Sequence, residues 1–166
     1  MRNNYLASMV VPATTIFFVA SADDERITAL GLFIEAYASV MEHLERELAT
    51  TTDLSTPEFG VLLRLARTPG NHLRMTDLAG GAGLSTSGMT RLVDRLEAAG
   101  YVERAACPND RRGLEAVLTT KGRKLIDRVV PAHIDSIQRH VVEPLGGDTK
   151  ALERTMRALR DSARAR

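Results

Sequence analysis

The chain has 166 residues, which suits one compact domain, or a small domain with additional oligomerisation helices, and excludes a pair of large catalytic domains. Hydrophobic residues make up 44% of the chain and charged residues 26%, a composition typical of a folded protein. Aromatic residues amount to 4% and Trp is absent, so little material exists for a base-stacking or sugar-stacking surface. The single cysteine, Cys107, excludes an internal disulfide and a cysteine-rich zinc site, and favours a reducing cytoplasm.

The formal net charge is +1, but the charges are distributed unevenly along the chain. Residues 23–55 carry eight acidic and two basic side chains, a balance of −6. Residues 84–124 carry eight basic and five acidic side chains, a balance of +3. This pattern predicts one surface that binds a polyanion and a different role for the acidic segment.

The first 22 residues contain an apolar stretch with some features of a signal peptide. Met9–Ala20 is largely apolar, and small residues end it at Ala20–Ala22. Pro12 and two threonines interrupt the stretch, which is also too short to cross a bilayer as a helix. We interpret residues 1–22 as an apolar arm that packs on a partner subunit, with a loose leader or a signal peptide as alternatives. No membrane partner is expected.

Residues 23–54 are predicted to form a long amphipathic helix. Apolar side chains recur at spacings of three and four from Ile27 to Leu48. The apolar seam is like that of a coiled coil, so the helix fills the core of its own domain, is shared between two subunits, or does both. We assign it as the first dimerisation helix.

Cap and turn residues predict three further helices. Ser55–Glu58 has the cap, the early Pro and the early Glu of a helix start, and residues 68–71 end that helix. Thr76 is predicted to cap a short helix, and Ser85 a stronger one that runs to about Ala99. The buried face of the stronger helix consists of Met89, Leu92, Val93 and Leu96. Two helices joined by a glycine-containing turn predict a helix-turn-helix.

A β-hairpin is predicted directly after these helices. Residues 101–106 and 114–118 are compatible with strands, and the polar loop 107–113 between them has an arginine-rich tip. A helix-turn-helix followed by a basic hairpin is the winged form of a DNA-binding domain, which we assign to residues 55–120. The predicted fold is therefore mainly α with a small β-hairpin wing, together with an α-helical dimerisation region.

Residues 121–166 are predicted to form C-terminal helices that also serve dimerisation. Thr119 or Thr120 caps the first of them, and Pro131 predicts a kink or a break within it. Pro144 and the glycines at 146–147 separate the last helix. The predicted core positions of the first are Leu125, Val129, Ile134, Ile137 and Val141.

The sequence of these elements resembles a known family. It is similar to the MarR family of bacterial transcription regulators. The resemblance is carried by the run RMTDLAGGAGLSTSGMTRLVDRLEAAGYVERAACPNDRRGLEAVLTTKGRKLI, which is preceded by LSTPEFGVLLRLAR. The resemblance implies a homodimer that binds a pseudo-palindromic double-stranded DNA operator, usually as a repressor. It also implies that Asp110 at the wing tip orients Arg112 into the minor groove, with Arg111 as a neighbouring phosphate contact.

The second helix of the predicted helix-turn-helix, from Ser85 to about Ala99, is the recognition helix expected to enter the DNA major groove, and it supplies further candidates on physical grounds. Short hydroxyls on its exposed N-terminal part can approach base edges or phosphates, and two arginines one turn apart can grip the DNA backbone. The candidates are Ser85, Thr86, Ser87, Thr90, Arg91 and Arg95. The alternatives are a routine helix cap with a solvated charged face, and a winged-helix protein-interaction module that does not read DNA.

The resemblance also implies a small aromatic or phenolic ligand in a crevice between the dimerisation helices and the winged domain. Its predicted lining is mostly apolar with one or two polar groups, as in many ligand pockets. The residues are Tyr37, Met41, His43, Leu44, Phe59, Leu62 and Leu63. The same residues at the same helical spacing would also fill a core.

We expect no metal, cofactor or catalytic site. The histidines at positions 43, 72, 133 and 140 lack a His-x-x-x-His or HExxH spacing. No P-loop, dinucleotide fingerprint or Gly-x-Ser-x-Gly elbow is present in the sequence. A hydrolase based on Ser85 or Ser87 lacks a neighbouring base, so an enzyme is not predicted.

Overall fold

A computed structural model of the protein describes residues 22–82, 85–107 and 110–164, without the side chains of residues 81, 82, 110–112 and 164. The expected apolar arm therefore lies outside the described residues, apart from its last residue. The chain divides into two compact units, Met1–Ala36 and Tyr37–Arg166. A long helix, α1 (Glu25–Thr51), begins in the first unit and ends in the second.

The remaining elements follow the order of a winged helix-turn-helix. They are α2 (Thr56–Ala66), β1 (His72–Arg74), α3 (Met75–Ala82), α4 (Thr86–Ala98), β2 (Val102–Cys107), β3 (Asp110–Leu118), α5 (Thr120–Ile137) and α6 (Thr149–Arg164). A 3₁₀ turn at Pro69–Asn71 precedes β1, and a π-helical turn at Gln138–Val142 continues α5. The predicted fold class, mainly α with a small β-hairpin wing, is confirmed.

Side-chain caps begin the helices where the sequence predicts them. The Glu58 carboxylate accepts a hydrogen bond from the Ser55 backbone N–H at 2.9 Å, and Thr119 Oγ1 accepts one from Gly122 N–H at 3.0 Å. The exception is α3, which begins at Met75, so Thr76 lies inside the helix and does not cap it.

The end of α4 follows from the glycine after it. Gly100 has a φ of 74°, a left-handed conformation that glycine adopts without strain. The N–H groups of Gly100 and Tyr101 donate to the carbonyls of Glu97 and Leu96 at 2.8 and 2.9 Å. This is a Schellman ending, and it turns the chain from α4 into the wing.

The wing belongs to a three-stranded antiparallel sheet in the order β1-β3-β2. Strands β2 and β3 extend into the segment that was predicted to be a loop, since Cys107 pairs with Asp110. A register shift between Ala106 and Cys107 bends this part of the hairpin. Strand β1, which was not predicted, pairs along β3 with His72 opposite Val117.

One hydrophobic core joins the end of α1 with α2, α3, α4, the sheet and α5. Its most deeply buried large side chains come from all three helices of the helix-turn-helix region. They are Leu62, Leu65, Leu78, Met89, Val93 and Leu96. The four residues predicted for the buried face of α4 are all buried, so this face fixes which side of α4 meets the solvent.

Helix α5 excludes a break at Pro131, one of the two predicted alternatives, and the structure differs from the sequence prediction at two core positions. The helix continues through Pro131 to Ile137, so the proline does not break it. The predicted core residue Ile134 is 57% exposed, and Val142 is buried where Val141 was expected. Val142 is buried in place of Val141 because of the π-helical turn, in which Glu143 N–H donates to the Gln138 carbonyl five residues back. The extra residue per turn moves the next valine toward the core.

The N-terminal half of α1 carries an apolar stripe that stays exposed in the single chain. Ile27, Leu30 and Ile34 are each more than half exposed, at 56%, 58% and 56%. Across residues 22–82, 85–107 and 110–164, no helix combines the length and the apolar character needed to cross a membrane.

Candidate nucleic-acid interface

The N-terminus of α4 is built by Ser85. Its Oγ accepts a hydrogen bond from Gly88 N–H at 3.1 Å and lies 3.2 Å from the Ser87 Oγ. The first turn of α4 contains no acidic residue, so the partial positive charge of the helix N-terminus is not offset locally. This end of the helix can therefore attract an anion such as a phosphate.

The solvent-facing side of α4 carries most of the predicted DNA contacts. Ser85, Thr86, Ser87, Thr90 and Arg91 are all exposed. The Thr90 hydroxyl donates to the Thr86 carbonyl at 2.9 Å, which leaves its oxygen lone pairs and its methyl group for an outside partner. Arg91 forms no ion pair with any residue in the described part of the chain. The structure thus places these five predicted DNA-binding residues, and Arg95 as a sixth of the nine, on the exposed side of α4.

Arg95 contacts α2. Its Nε donates to Glu58 Oε1 at 2.6 Å, and its side chain remains 60% exposed. Burial opposes ionisation of Glu58, but the hydrogen bonds from Arg95 and Ser55 outweigh it and lower the pKa of this carboxyl. Glu58 therefore joins the start of α2 to the last turns of α4, and Arg95 is fixed in position on the same side of the helix.

Arg104 on β2 is a residue that sequence reasoning missed. Its Nη2 donates to Asp94 Oδ1 at 2.6 Å, its Nη1 donates to Glu97, and its backbone N–H donates to Glu97 Oε1 at 3.1 Å. Burial works against the charge, yet the two carboxylates raise the pKa of Arg104. It braces α4 against the wing and neutralises the acidic half of α4. The sequence signal for this contact was a pair of carboxylates three residues apart, Asp94 and Glu97, followed by an arginine on the next strand.

Two more basic residues of the positive segment serve as helix caps. Lys121 Nζ donates to the Ala99 carbonyl at the end of α4 at 2.7 Å, and Arg123 Nη2 donates to the Ala66 carbonyl at the end of α2 at 3.0 Å. Arg123 also donates to the Asn71 side chain. The positive balance read from the sequence therefore overstates the charge that is available to an outside polyanion.

The wing-tip residues Asp110, Arg111 and Arg112 lie at the start of β3. Their side chains are outside the described atoms, so their predicted roles stay predictions. Cys107, on the opposing strand, is 5% exposed.

The residues of the predicted ligand crevice differ widely in burial. Phe59 and Leu62 are buried in the core, and Leu63 packs against it. Tyr37 is 61% exposed, and three further residues are half-buried, namely Met41, His43 and Leu44.

A cavity of about 110 Å³ lies between the end of α1 and α5. Its lining consists of Glu47, Leu48, Thr50, Thr51, Val129, Ala132 and His133. The His133 ring meets the Phe59 ring edge-on, with 4.9 Å between their centroids. Burial lowers the pKa of His133, and the nearby Glu47 carboxylate acts in the opposite direction. A neutral imidazole therefore faces an otherwise mixed polar and apolar cavity.

Comparison with known proteins agrees with this arrangement. A sequence model of the MarR family matches residues 52–113, which include most of the helix-turn-helix and wing. The HTH-type transcriptional regulator PecS of Dickeya dadantii is 32% identical over 98 residues, 58% of each chain. The HTH-type transcriptional repressor Mb2911 of Mycobacterium bovis is 33% identical over 107 residues, 64% of this chain and 73% of the repressor.

A solved structure decides the family. Sco3205 of Streptomyces coelicolor, a MarR family transcriptional regulator solved in complex with DNA, superposes with a TM-score of 0.76 at 34% identity, covering 83% of this chain and 87% of Sco3205. The chain belongs to the MarR family. The MarR family is one of DNA-binding transcriptional regulators and not of enzymes.

Proposed function

We propose that this MarR-family chain acts in the cytoplasm as a homodimeric repressor that binds a pseudo-palindromic double-stranded DNA operator. The observation that carries the proposal is the exposed N-terminal half of α4, which presents hydroxyls and Arg91 without a carboxylate. Contacts from Arg104 and Glu58 hold that helix against the wing and α2. The DNA complex of Sco3205 and the repressor Mb2911 support the same assignment.

In this proposal the hydroxyls of α4 meet base edges and phosphates in the major groove. Arg91 and Arg95 contact the DNA backbone, Arg95 in the orientation that Glu58 sets. Arg112, oriented by Asp110, enters the minor groove from the wing, and Arg111 contacts a phosphate. The two recognition helices of a symmetric dimer would lie about one DNA turn apart.

Selection of bound duplexes from a random pool, followed by binding measurements on the selected site, tests the proposal. The Arg91→Ala variant is expected to weaken binding to all sequences similarly and to reduce the slope of log affinity against log salt by about 1, because one phosphate contact is lost. Lys150→Ala, which removes an exposed charge from the start of α6, is the matched control and should bind like the wild type. Affinity that does not fall with salt would instead indicate a protein-interaction module.

The wing has a separate test. Arg112→Ala is expected to weaken binding to the selected site by about 1 to 3 kcal/mol and to relax its preference for a narrow minor groove. Asp110→Asn should produce a smaller loss, since it removes only the group that orients the arginine. Unchanged affinity and salt dependence in Arg112→Ala would show that the wing does not insert.

We further propose that a small aromatic ligand weakens DNA binding. We place this ligand in the cavity beside His133, which combines a neutral imidazole with apolar walls from Leu48 and Val129 and, at about 110 Å³, must widen to admit an aromatic ring. A ligand can release DNA only if it binds the non-binding arrangement more tightly, by about 1 to 3 kcal/mol for typical coupling. Phenolic acids that leave both the melting temperature and the DNA affinity unchanged would refute this part of the proposal.

A further inference from the structure

Three potential metal ligands meet near the C-terminal half of α1. His43 and Glu47 lie one helical turn apart, and His140 comes from the π-helical turn after α5. One donor atom from each residue lies within 4.8 Å of the other two. The His43 Nε2 and Glu47 Oε1 are 3.4 Å apart, and the rings of His43 and His140 are 3.9 Å apart between centroids.

One of these distances already matches a coordination shell, whereas His140 has to move to complete it. Zinc–ligand bonds of about 2.1 Å in a tetrahedron separate the ligand atoms by about 3.4 Å, which is the distance that His43 and Glu47 already have. His140 must bring its ring nitrogen closer to the other two donors, and its exposed side chain can rotate to do so. Two imidazoles and one carboxylate form a donor set that suits zinc and neighbouring transition metals better than magnesium or calcium.

Two independent features of the same place also point to a ligand. The Nε2 of His43 is buried and completes no hydrogen bond of regular geometry within the described part of the chain. Such an atom is rare in a folded protein and calls for a water, an ion or a strained role. In addition, His140 lies in a π-helical turn, a feature that is rare in proteins and frequent at functional sites.

One neighbouring cation competes for the carboxylate. Arg139 Nη2 lies 3.7 Å from Glu47 Oε1, and both side chains are substantially exposed, at 59% and 37%. An exposed pair of this kind contributes little, so a metal ion can displace it. Arg139 also donates to the Asp135 carbonyl, which gives it a partner once it leaves Glu47.

We propose that His43, Glu47 and His140 bind one divalent transition-metal ion of the zinc type, with the fourth position open to water. The ion would join α1 to the π-helical turn. The site does not depend on the proposed DNA-binding function, and its test uses protein without DNA.

The experiment uses tag-free, chelator-treated protein titrated with Co²⁺, which absorbs strongly in the visible range when its coordination is tetrahedral. We expect one Co²⁺ per chain, displacement of the cobalt spectrum by Zn²⁺, and a higher melting temperature with Zn²⁺. Glu47→Gln and His140→Gln should each weaken Zn²⁺ binding by about 100-fold or more, since each removes a direct ligand. Arg139→Gln should tighten it, because the competing cation is gone.

His72→Gln is the matched control, because His72 also lies beside a carboxylate, Glu115, at 3.0 Å, but in the sheet. It should leave Zn²⁺ binding unchanged. His140 is exposed, so its variant is expected to fold, and Glu47→Gln tests the site independently if it does not. Absence of a tetrahedral cobalt spectrum in the wild type, or equal Zn²⁺ affinity in the wild type and both ligand variants, would overturn the proposal.

Discussion

At the residue scale, several side chains that look like surface charge in the sequence have defined structural partners. Lys121 and Arg123 cap helices, and Arg104 binds the two carboxylates of α4. Arg91 is exposed on the same helix and pairs with no side chain in the described residues. Equal formal charges therefore have different roles, which depend on whether a helix-end carbonyl or a carboxylate lies within reach of each side chain.

Gly122 lies where two segments of backbone approach each other closely. A Cβ at this position would lie 2.3 Å from the Tyr101 carbonyl oxygen and 2.7 Å from Leu118 Cδ1. The start of α5 thus approaches the backbone before β2 at a distance that only glycine permits. This contact explains physically why a glycine follows Thr119–Lys121 at the junction between the wing and α5.

Gly122→Ala is therefore expected to destabilise the protein by about 2 kcal/mol or more, because the backbone must move to relieve the clash. Gly60→Ala is the matched control, since Gly60 is an exposed helical glycine with nothing within 4 Å of its would-be Cβ. It should stabilise α2 by up to about 1 kcal/mol. Urea denaturation of both variants measures the two effects. Equal stability changes would show that the close approach at Gly122 does not exist.

At the scale of elements, α4 is held by contacts from three directions. Its apolar face packs in the core, Glu58 binds it from α2, and Arg104 binds it from β2. Rigid placement matters because a recognition helix must meet base edges at hydrogen-bond distances. Its N-terminal half remains exposed, which is the arrangement that DNA reading requires.

The Glu58→Gln variant separates the ion pair with Arg95 from the capping hydrogen bond to Ser55. Glutamine retains the hydrogen bond to Ser55 that begins α2, but it loses the charge that Arg95 binds. We expect a cost of about 1 kcal/mol in the free energy of unfolding at neutral pH. The folded state lowers the pKa of Glu58, so its contribution is present above the unfolded pKa and is lost as pH falls through the folded pKa.

The difference between wild type and Glu58→Gln should accordingly shrink toward zero below about pH 4, near the pKa of an unperturbed glutamate. Glu153→Gln, which breaks an exposed pair with Arg157 on α6, is the control and should cause no measurable change. A pH-independent difference between wild type and Glu58→Gln would mean that packing, and not the charge, accounts for the effect.

At the scale of the whole molecule, two helices expose apolar side chains that a soluble monomer would not be expected to leave in water. In α1 these are Ile27, Leu30, Phe33 and Ile34, and in α6 they are Met156 and Leu159. Each stripe has the spacing of a helix that packs on a neighbour. A second copy of the chain is the occupant that the proposed repressor requires.

We therefore expect a dimer by sedimentation equilibrium at micromolar concentration. The double variant Leu30→Asp and Ile34→Asp places two charges on the exposed stripe of α1 and should shift the protein to monomers with loss of operator binding. Glu35→Gln, on the same turn of α1, should leave the dimer intact. A monomeric wild type would contradict the proposed dimer.

The short-range features of the fold were predictable from the sequence. The starts of α2, α4 and α5, the buried face of α4 and the wing all follow from caps, glycines and periodicity within a few residues. Helix starts are local because a cap hydrogen-bonds to an N–H two or three residues away. The same local signals predicted Ser85 as the cap of α4 and Arg91 on its exposed face.

The tertiary structure decided everything that depends on distant partners. Strand β1 has three residues and no periodicity of its own, and it forms because β3 offers it an edge. The π-helical turn exchanged Val141 for Val142 in the core, and long-range pairing set the partners of Arg95 and Arg104. His43, Glu47 and His140 meet only because α1 and the π-helical turn come together in the fold, and no spacing rule along the chain encodes that distance.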